Sequence, residues 1–200
     1  MKTIAFECPY CCVNLSHSIP TNSTTEDAIF YSDGFAIGPY LPKVSKLVQC
    51  PVCDEVFFYE SLEIQLQLNE KENYTEAVEP SMEHYFELLN NSKELSLDQQ
   101  IYLRKELWYF GTHHPSGNNE LLNNPEFKMQ WIENLEALEA LLDAENPEQV
   151  LIKAEANRHL GRFARCLELL ESNELSSYDI KFIKTLRKKA NKGNTEVFET

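Results

Sequence analysis

Two hundred residues, 42% of them hydrophobic and 11% aromatic, are enough to bury one compact core or two small ones. A formal charge of −14, from 18 Lys and Arg against 32 Asp and Glu, disfavours binding of the chain as a whole to a phosphate backbone. There is no run of ~18 apolar residues to span a bilayer, and residues 1–9 lack the basic start and apolar stretch of a signal peptide, so a soluble, cytoplasmic protein without membrane contact is expected.

In chain order, residues 3–6 (TIAF) predict a short strand running into Cys8, and residues 14–20 make a poor helix. Residues 28–31 and 35–37 predict two short strands around Ser32-Asp33-Gly34, where glycine supplies the positive φ of a tight turn. Residues 46–49 lead into Cys50 and residues 55–59 leave Cys53, so each cysteine pair is flanked by extended sequence. After Glu79-Pro80 the period changes to 3.6: Met82, Tyr85, Phe86 and Leu89 share one helical face. Ser96 and Gln99 form a capping box opening a helix with apolar residues on more than one side, and Asn124-Pro125 starts the next. Segments 147–160, 163–171 and 177–191 complete six helices. The fold class predicted is α+β: a β-rich module over residues 1–70, with residues 28–38 as an inserted hairpin, and a helical module over 71–200. The junction is expected at residues 69–73.

Charge is uneven along the chain. Residues 1–60 hold 3 basic and 7 acidic groups, residues 61–150 hold 5 and 18, and residues 151–200 hold 10 and 7, so only the last quarter is net positive.

Cys8-Pro9-Tyr10-Cys11 and Cys50-Pro51-Val52-Cys53 are two Cys-Pro-x-Cys turns separated by 38 residues. Such a turn lets two thiolates reach one ion, its amides pointing at the sulfurs, and two turns complete a tetrahedron. Proline after the first cysteine preorganises the turn. Four thiolates favour Zn²⁺, with Fe²⁺ as the alternative for the same ligands. Cys12 competes with Cys11 for the second ligand position. Residues 3–60 resemble a zinc ribbon on Cys8, Pro9, Cys11, Cys50, Pro51 and Cys53. The resemblance implies a structural metal and a left-handed residue just after each second cysteine, usually glycine; Cys12 and Asp54 stand there instead. His17 is read as a loop residue outside the ligand set.

Residues 147–173 resemble a tetratricopeptide (TPR) helix pair: Ala154 and Cys166 match its small positions, Gly161 and Phe163 its turn, and Leu170 a large packing position. The pattern occurs once, so an ordinary helical hairpin is the competing reading. The chain as a whole resembles bacterial proteins that pair a Cys-Pro-x-Cys ribbon with TPR-like helices. That resemblance implies an architecture and no reaction.

No phosphate-binding glycine loop, nucleophile elbow or His-Glu-x-x-His motif is present. The function predicted is a non-catalytic zinc-binding adaptor whose helical part binds a protein partner, with Arg158, Arg162 and Arg165 as candidate contacts for an acidic group. A nucleic-acid-associated zinc ribbon is the alternative. A thiol oxidoreductase using Cys8 and Cys11 is third, because Cys-Pro-Tyr-Cys is also the glutaredoxin tetrapeptide but the long helix required immediately after it is not predicted.

Overall fold

The computed structural model describes residues 1–66, 73–91, 94–113, 121–171, 175 and 179–200. Strands come first and six helices come after them, an α+β layout. The expected junction at 69–73 lies, except for Asn73, outside the described residues. Two compact units are present: Met1–Ala28 with Ile37–Ser92, and Ile29–Ala36 with Lys93–Thr200.

In the first unit, β1 (Lys2–Glu7) and β2 (Asn14–Ile19) pair antiparallel from Lys2↔Ile19 to Glu7↔Asn14. Residues 14–19, a poor helix in sequence, therefore complete the hairpin that carries the first cysteine turn. His17 sits on this strand rather than in a loop, its ring 5.2 Å from that of Tyr59. The short β7 (Thr75–Glu76) adds to β2 in parallel. A second antiparallel pair, β5 (Leu47–Gln49) and β6 (Val56–Phe58), carries the other cysteine turn. Ile4, Phe6, Leu15, Val48, Phe57 and Tyr59 form the small core beneath the two turns. On α1 (Met82–Asn91), the predicted apolar face buries Tyr85 alone, whose hydroxyl meets that of Ser45 at 3.2 Å.

The hairpin of β3 (Ile29–Phe30) and β4 (Ala36–Ile37) interrupts the first unit in sequence, yet Ile29–Ala36 belongs to the second. Its turn is as predicted: Gly34 has φ +86°, and the Asp33 carboxylate accepts from the Phe35 amide at 3.1 Å. The C-terminal residues extend this hairpin, with Ser32 N–H donating to Phe198 O (2.9 Å) and Thr200 N–H to Phe30 O (2.9 Å).

The helices of the second unit begin where the sequence marks them. Ser96 and Gln99 make the reciprocal capping box of α2 (Leu97–Thr112). Asn124 and Asn146 cap α3 (Pro125–Leu141) and α4 (Pro147–His159), each with proline in the first turn. Helix α2 is buried on several sides, through Leu103, Leu107, Trp108 and Thr112. Gly111 is required there, since a Cβ would lie 2.3 Å from the Trp131 indole nitrogen. A turn at Gly161 (φ +72°) joins α4 to α5 (Phe163–Leu170). Val150, Ala154, Cys166, Leu170, Ile183 and Leu186 pack α4, α5 and α6 (Ile180–Asn191) into one core. Ala154 and Cys166 are both fully buried in this core.

Candidate metal centre

The two cysteine turns fold alike because each closes a β-hairpin. Cys8 N–H donates to Val13 O (2.9 Å) and Cys12 N–H to Cys8 O (3.0 Å); at the second turn Cys50 N–H donates to Glu55 O (2.9 Å) and Asp54 N–H to Cys50 O (2.9 Å). The matched bonds require the residue after each second cysteine to be left-handed. Cys12 has φ +60° and Asp54 φ +61°. Aspartate tolerates that region, whereas for cysteine it is a strained backbone.

The left-handed turn decides between Cys11 and Cys12. The sulfurs of Cys8, Cys11, Cys50 and Cys53 all lie within 4.8 Å of one another. Cys12 is exposed and outside the cluster, its thiol held above its ordinary pKa by the hydrogen bond and negative charge of Glu7. The separations Cys8 Sγ to Cys53 Sγ and Cys11 Sγ to Cys50 Sγ are both 3.7 Å. Four sulfurs ~2.3 Å from a central ion stand about 3.8 Å apart at the corners of a tetrahedron, so the donor set fits a metal ion.

Electrostatics favours a cation in the same place. Burial opposes ionisation of Cys50, but the amides of Cys53 and Val52 outweigh it and bring that thiol down to about 7. At Cys53 the Glu55 amide favours the thiolate, yet burial and the crowding of Cys11, Cys50 and Cys8 push it up to about 12. Four thiolates cannot coexist at this spacing without a positive charge among them. Cys8 and Cys50 are fully buried, while Cys11 is exposed and Cys53 half-buried. Phe6, Phe57 and Tyr10 stand around the centre, with Phe6 edge-on to Phe57 at 6.2 Å. Beyond Cys11 the chain turns back into strand β2, so the helix whose N-terminus would activate a glutaredoxin-type thiol is not there.

The three arginines do not share a surface. Arg158 is fully buried: its Nε and Nη2 donate to Glu155 at 2.7 and 2.5 Å, its Nη1 donates to Asn194 O at 2.6 Å, and its guanidinium stacks over Phe198. It is a core group, not a partner contact; the reason is its place on α4, the helix enclosed by α5, α6 and the C-terminal residues. Arg162 and Arg165 are partly exposed and meet acids of their own unit, Arg162 with Glu136 and Glu139, Arg165 with Glu139 and Glu168.

Sequence reasoning missed the buried ionic network around Arg158. His159 Nε2–H donates to Glu155 (3.2 Å) while Nδ1 accepts from the Trp108 indole (3.3 Å), which fixes one neutral tautomer. A second buried pair joins His113 Nε2 to the Asp33 carboxylate (2.8 Å), which also accepts from Thr112 (3.1 Å). The i, i+3 and i, i+4 spacing of Glu155 with Arg158 and His159 was a usable signal; Asp33 and His113 are 80 residues apart and offered none. His114 to Glu120 lie outside the described residues.

Burial alone would raise the Glu155 carboxyl, but the bonds from Arg158 and His159 dominate and hold it at about 2. A depressed carboxyl stabilises the fold above its ordinary value near 4.5 and loses that contribution as pH falls toward 2. The unfolding free energy from urea titrations read by tryptophan fluorescence should therefore fall below pH 4.5, by about 3 kcal/mol at the limit, and Glu155→Gln should flatten that segment of the profile. Equal acid sensitivity in the variant would remove Glu155 as its cause.

Comparison of the chain with known protein families, curated proteins and solved structures gave no match. Among the described residues no helix is long and apolar enough to cross a membrane.

Proposed function

We propose that the chain is a non-catalytic cytoplasmic adaptor: a zinc-ribbon-like unit held by structural Zn²⁺ on Cys8, Cys11, Cys50 and Cys53, and a TPR-like helical unit that binds a protein partner. The observation that carries the metal half is the convergence of four thiols within 4.8 Å of one another, two of the separations being 3.7 Å. When bound, the ion supplies folding stability and charge balance. With all four corners taken by thiolates, no position is left for an activated water. Zinc suits this set better than Fe²⁺ because a reducing compartment keeps the thiols free and no redox role is required of the ion. The partner half is supported by a cleft of about 690 Å³ in the helical unit, walled by Phe30, Leu151, Ile152, Phe182 and Phe198. An apolar cleft with charged edges suits a peptide side-chain anchor.

Metal analysis of variants tests the site. Purified protein and Cys12→Ser should each carry one zinc per chain, and Cys11→Ser should carry less than a tenth of that. Cys12→Gly should keep the metal and gain about 1 kcal/mol of stability by relieving the left-handed cysteine. Metal lost from Cys12→Ser but kept by Cys11→Ser would reverse the ligand assignment, and visible absorption of the purified protein would replace zinc with iron.

A further inference from the structure

Helix α6 carries six cations between Asp179 and Lys192, and they divide by position. Arg187 donates to Leu170 O and Lys189 lies over the Phe198 ring, so these two serve the fold. Lys181, Lys184, Lys188 and Lys192 recur at steps of three and four residues, within about 80° around the helix, and form a stripe about 16 Å long. All four are exposed, and Ile183, Leu186 and Ala190 on the opposite side are buried, which fixes the stripe outward. Among the described residues none of the four has a carboxylate within ion-pair distance, whereas Arg162 and Arg165 each have one or more.

Part of this arrangement runs against local stability, while Lys188 in the last turn and Lys192 at the C-cap are favoured by the negative end of the helix dipole. Lys184 and Lys188, and Lys188 and Lys192, are like-charged at i, i+4, and Lys181 stands in the first turn, where the helix dipole is already positive and no acidic residue comes after the cap. An exposed row of like charges with no ion pair among the described residues points to a ligand.

We propose that this face of α6 binds the phosphate backbone of a nucleic-acid duplex. The side chains of the stripe and its border, lysine with Thr185 and Asn191, are those that contact phosphate oxygens. No exposed aromatic residue stands between the lysines to stack an unpaired base, which separates a duplex from a single strand. Ile180 is exposed but precedes the first lysine, Phe182 turns into the apolar cleft, and lysine is depleted at the cores of protein interfaces, which favours phosphate over an acidic protein for the stripe itself. Glu148, Asp179 and Glu199 line the cleft that Lys181 borders, whereas acidic groups farther than about 8–10 Å from the stripe are screened at physiological ionic strength. Binding is independent of sequence.

The test is fluorescence anisotropy of a labelled 20-base-pair DNA duplex with the full-length, metal-loaded protein. Binding in the micromolar range is expected at about 50 mM salt, and four phosphate contacts weaken it about a hundredfold by about 200 mM. In Lys184→Gln/Lys188→Gln that loss shrinks to about tenfold, whereas Lys128→Gln, an exposed lysine of α3, leaves it unchanged. All substitutions are at exposed positions, and zinc content and circular dichroism of each variant show that the site and the helices are intact. Absence of duplex binding at about 50 mM salt, an unchanged salt dependence in the double variant, or equal binding of poly-glutamate through the same lysines would each overturn the proposal. None of these outcomes bears on the zinc centre.

Discussion

Stripping the metal is expected to unfold the N-terminal unit. The core beneath its cysteine turns is small, built on Ile4, Phe6, Leu15, Val48, Phe57 and Tyr59, and its strands are two to six residues long. A structural zinc supplies on the order of 10–16 kcal/mol of apparent binding energy, which equals or exceeds the stability of a whole small domain. Added chelator should abolish amide-exchange protection in β1, β2, β5 and β6, and Cys8→Ser or Cys50→Ser should do the same without chelator. These two ligands carry the largest effect because both are fully buried and two turn amides hydrogen-bond to each sulfur. A metal-free protein that keeps those amides protected would show that the unit stands on its apolar core, and the adaptor reading would lose its zinc.

The second large effect is expected at Arg158. Truncation to Met leaves Glu155, 1% exposed, as an uncompensated buried charge, a change that costs about 3–5 kcal/mol. That is a large share of the ~5–15 kcal/mol of a typical domain. Trp108 and Trp131, the two tryptophans of the chain, both lie in the helical unit, so the urea midpoint of intrinsic fluorescence reads the unit directly. Arg158→Met/Glu155→Gln should recover more than half of the loss: the glutamine is neutral and its carbonyl still accepts from His159. If the single variant unfolds at the midpoint of the parent protein, the pair contributes nothing to stability.

The cysteine centre was legible because its information is local. A four-residue turn brings two sulfurs together whatever the rest of the chain does, and repetition of Cys-Pro-x-Cys leaves little else for the pattern to mean. The choice between Cys11 and Cys12 was not legible, since both are one turn from Cys8. It depends on a backbone angle at residue 12 that the hairpin β1–β2 imposes. Helix starts were equally local, and Ser96, Asn124 and Asn146 mark them by side-chain bonds within three residues.

Distance along the chain governs the part that stayed hidden in the sequence. The turn of Ser32-Asp33-Gly34 could be read, but not that its contacts are His113 and Phe198, far along the chain in the helical unit. Arg158 read as exposed because arginine on a polar helix usually is. Helix α4 is instead enclosed by its neighbours, and its ionic residues became tolerable inside by pairing with one another.

The tail-to-hairpin pairing has a consequence in time. Phe30 and Ser32 leave the ribosome early, but their partners, Thr200 and Phe198, are 170 and 166 residues downstream. At ~5–20 residues per second, roughly 10–30 s pass before the hairpin acquires its C-terminal hydrogen-bond partners. During that interval the cysteine turns are already complete and able to take up metal. The nascent chain therefore carries an open β edge on a segment looped out of an otherwise finished unit, and the helical unit closes last.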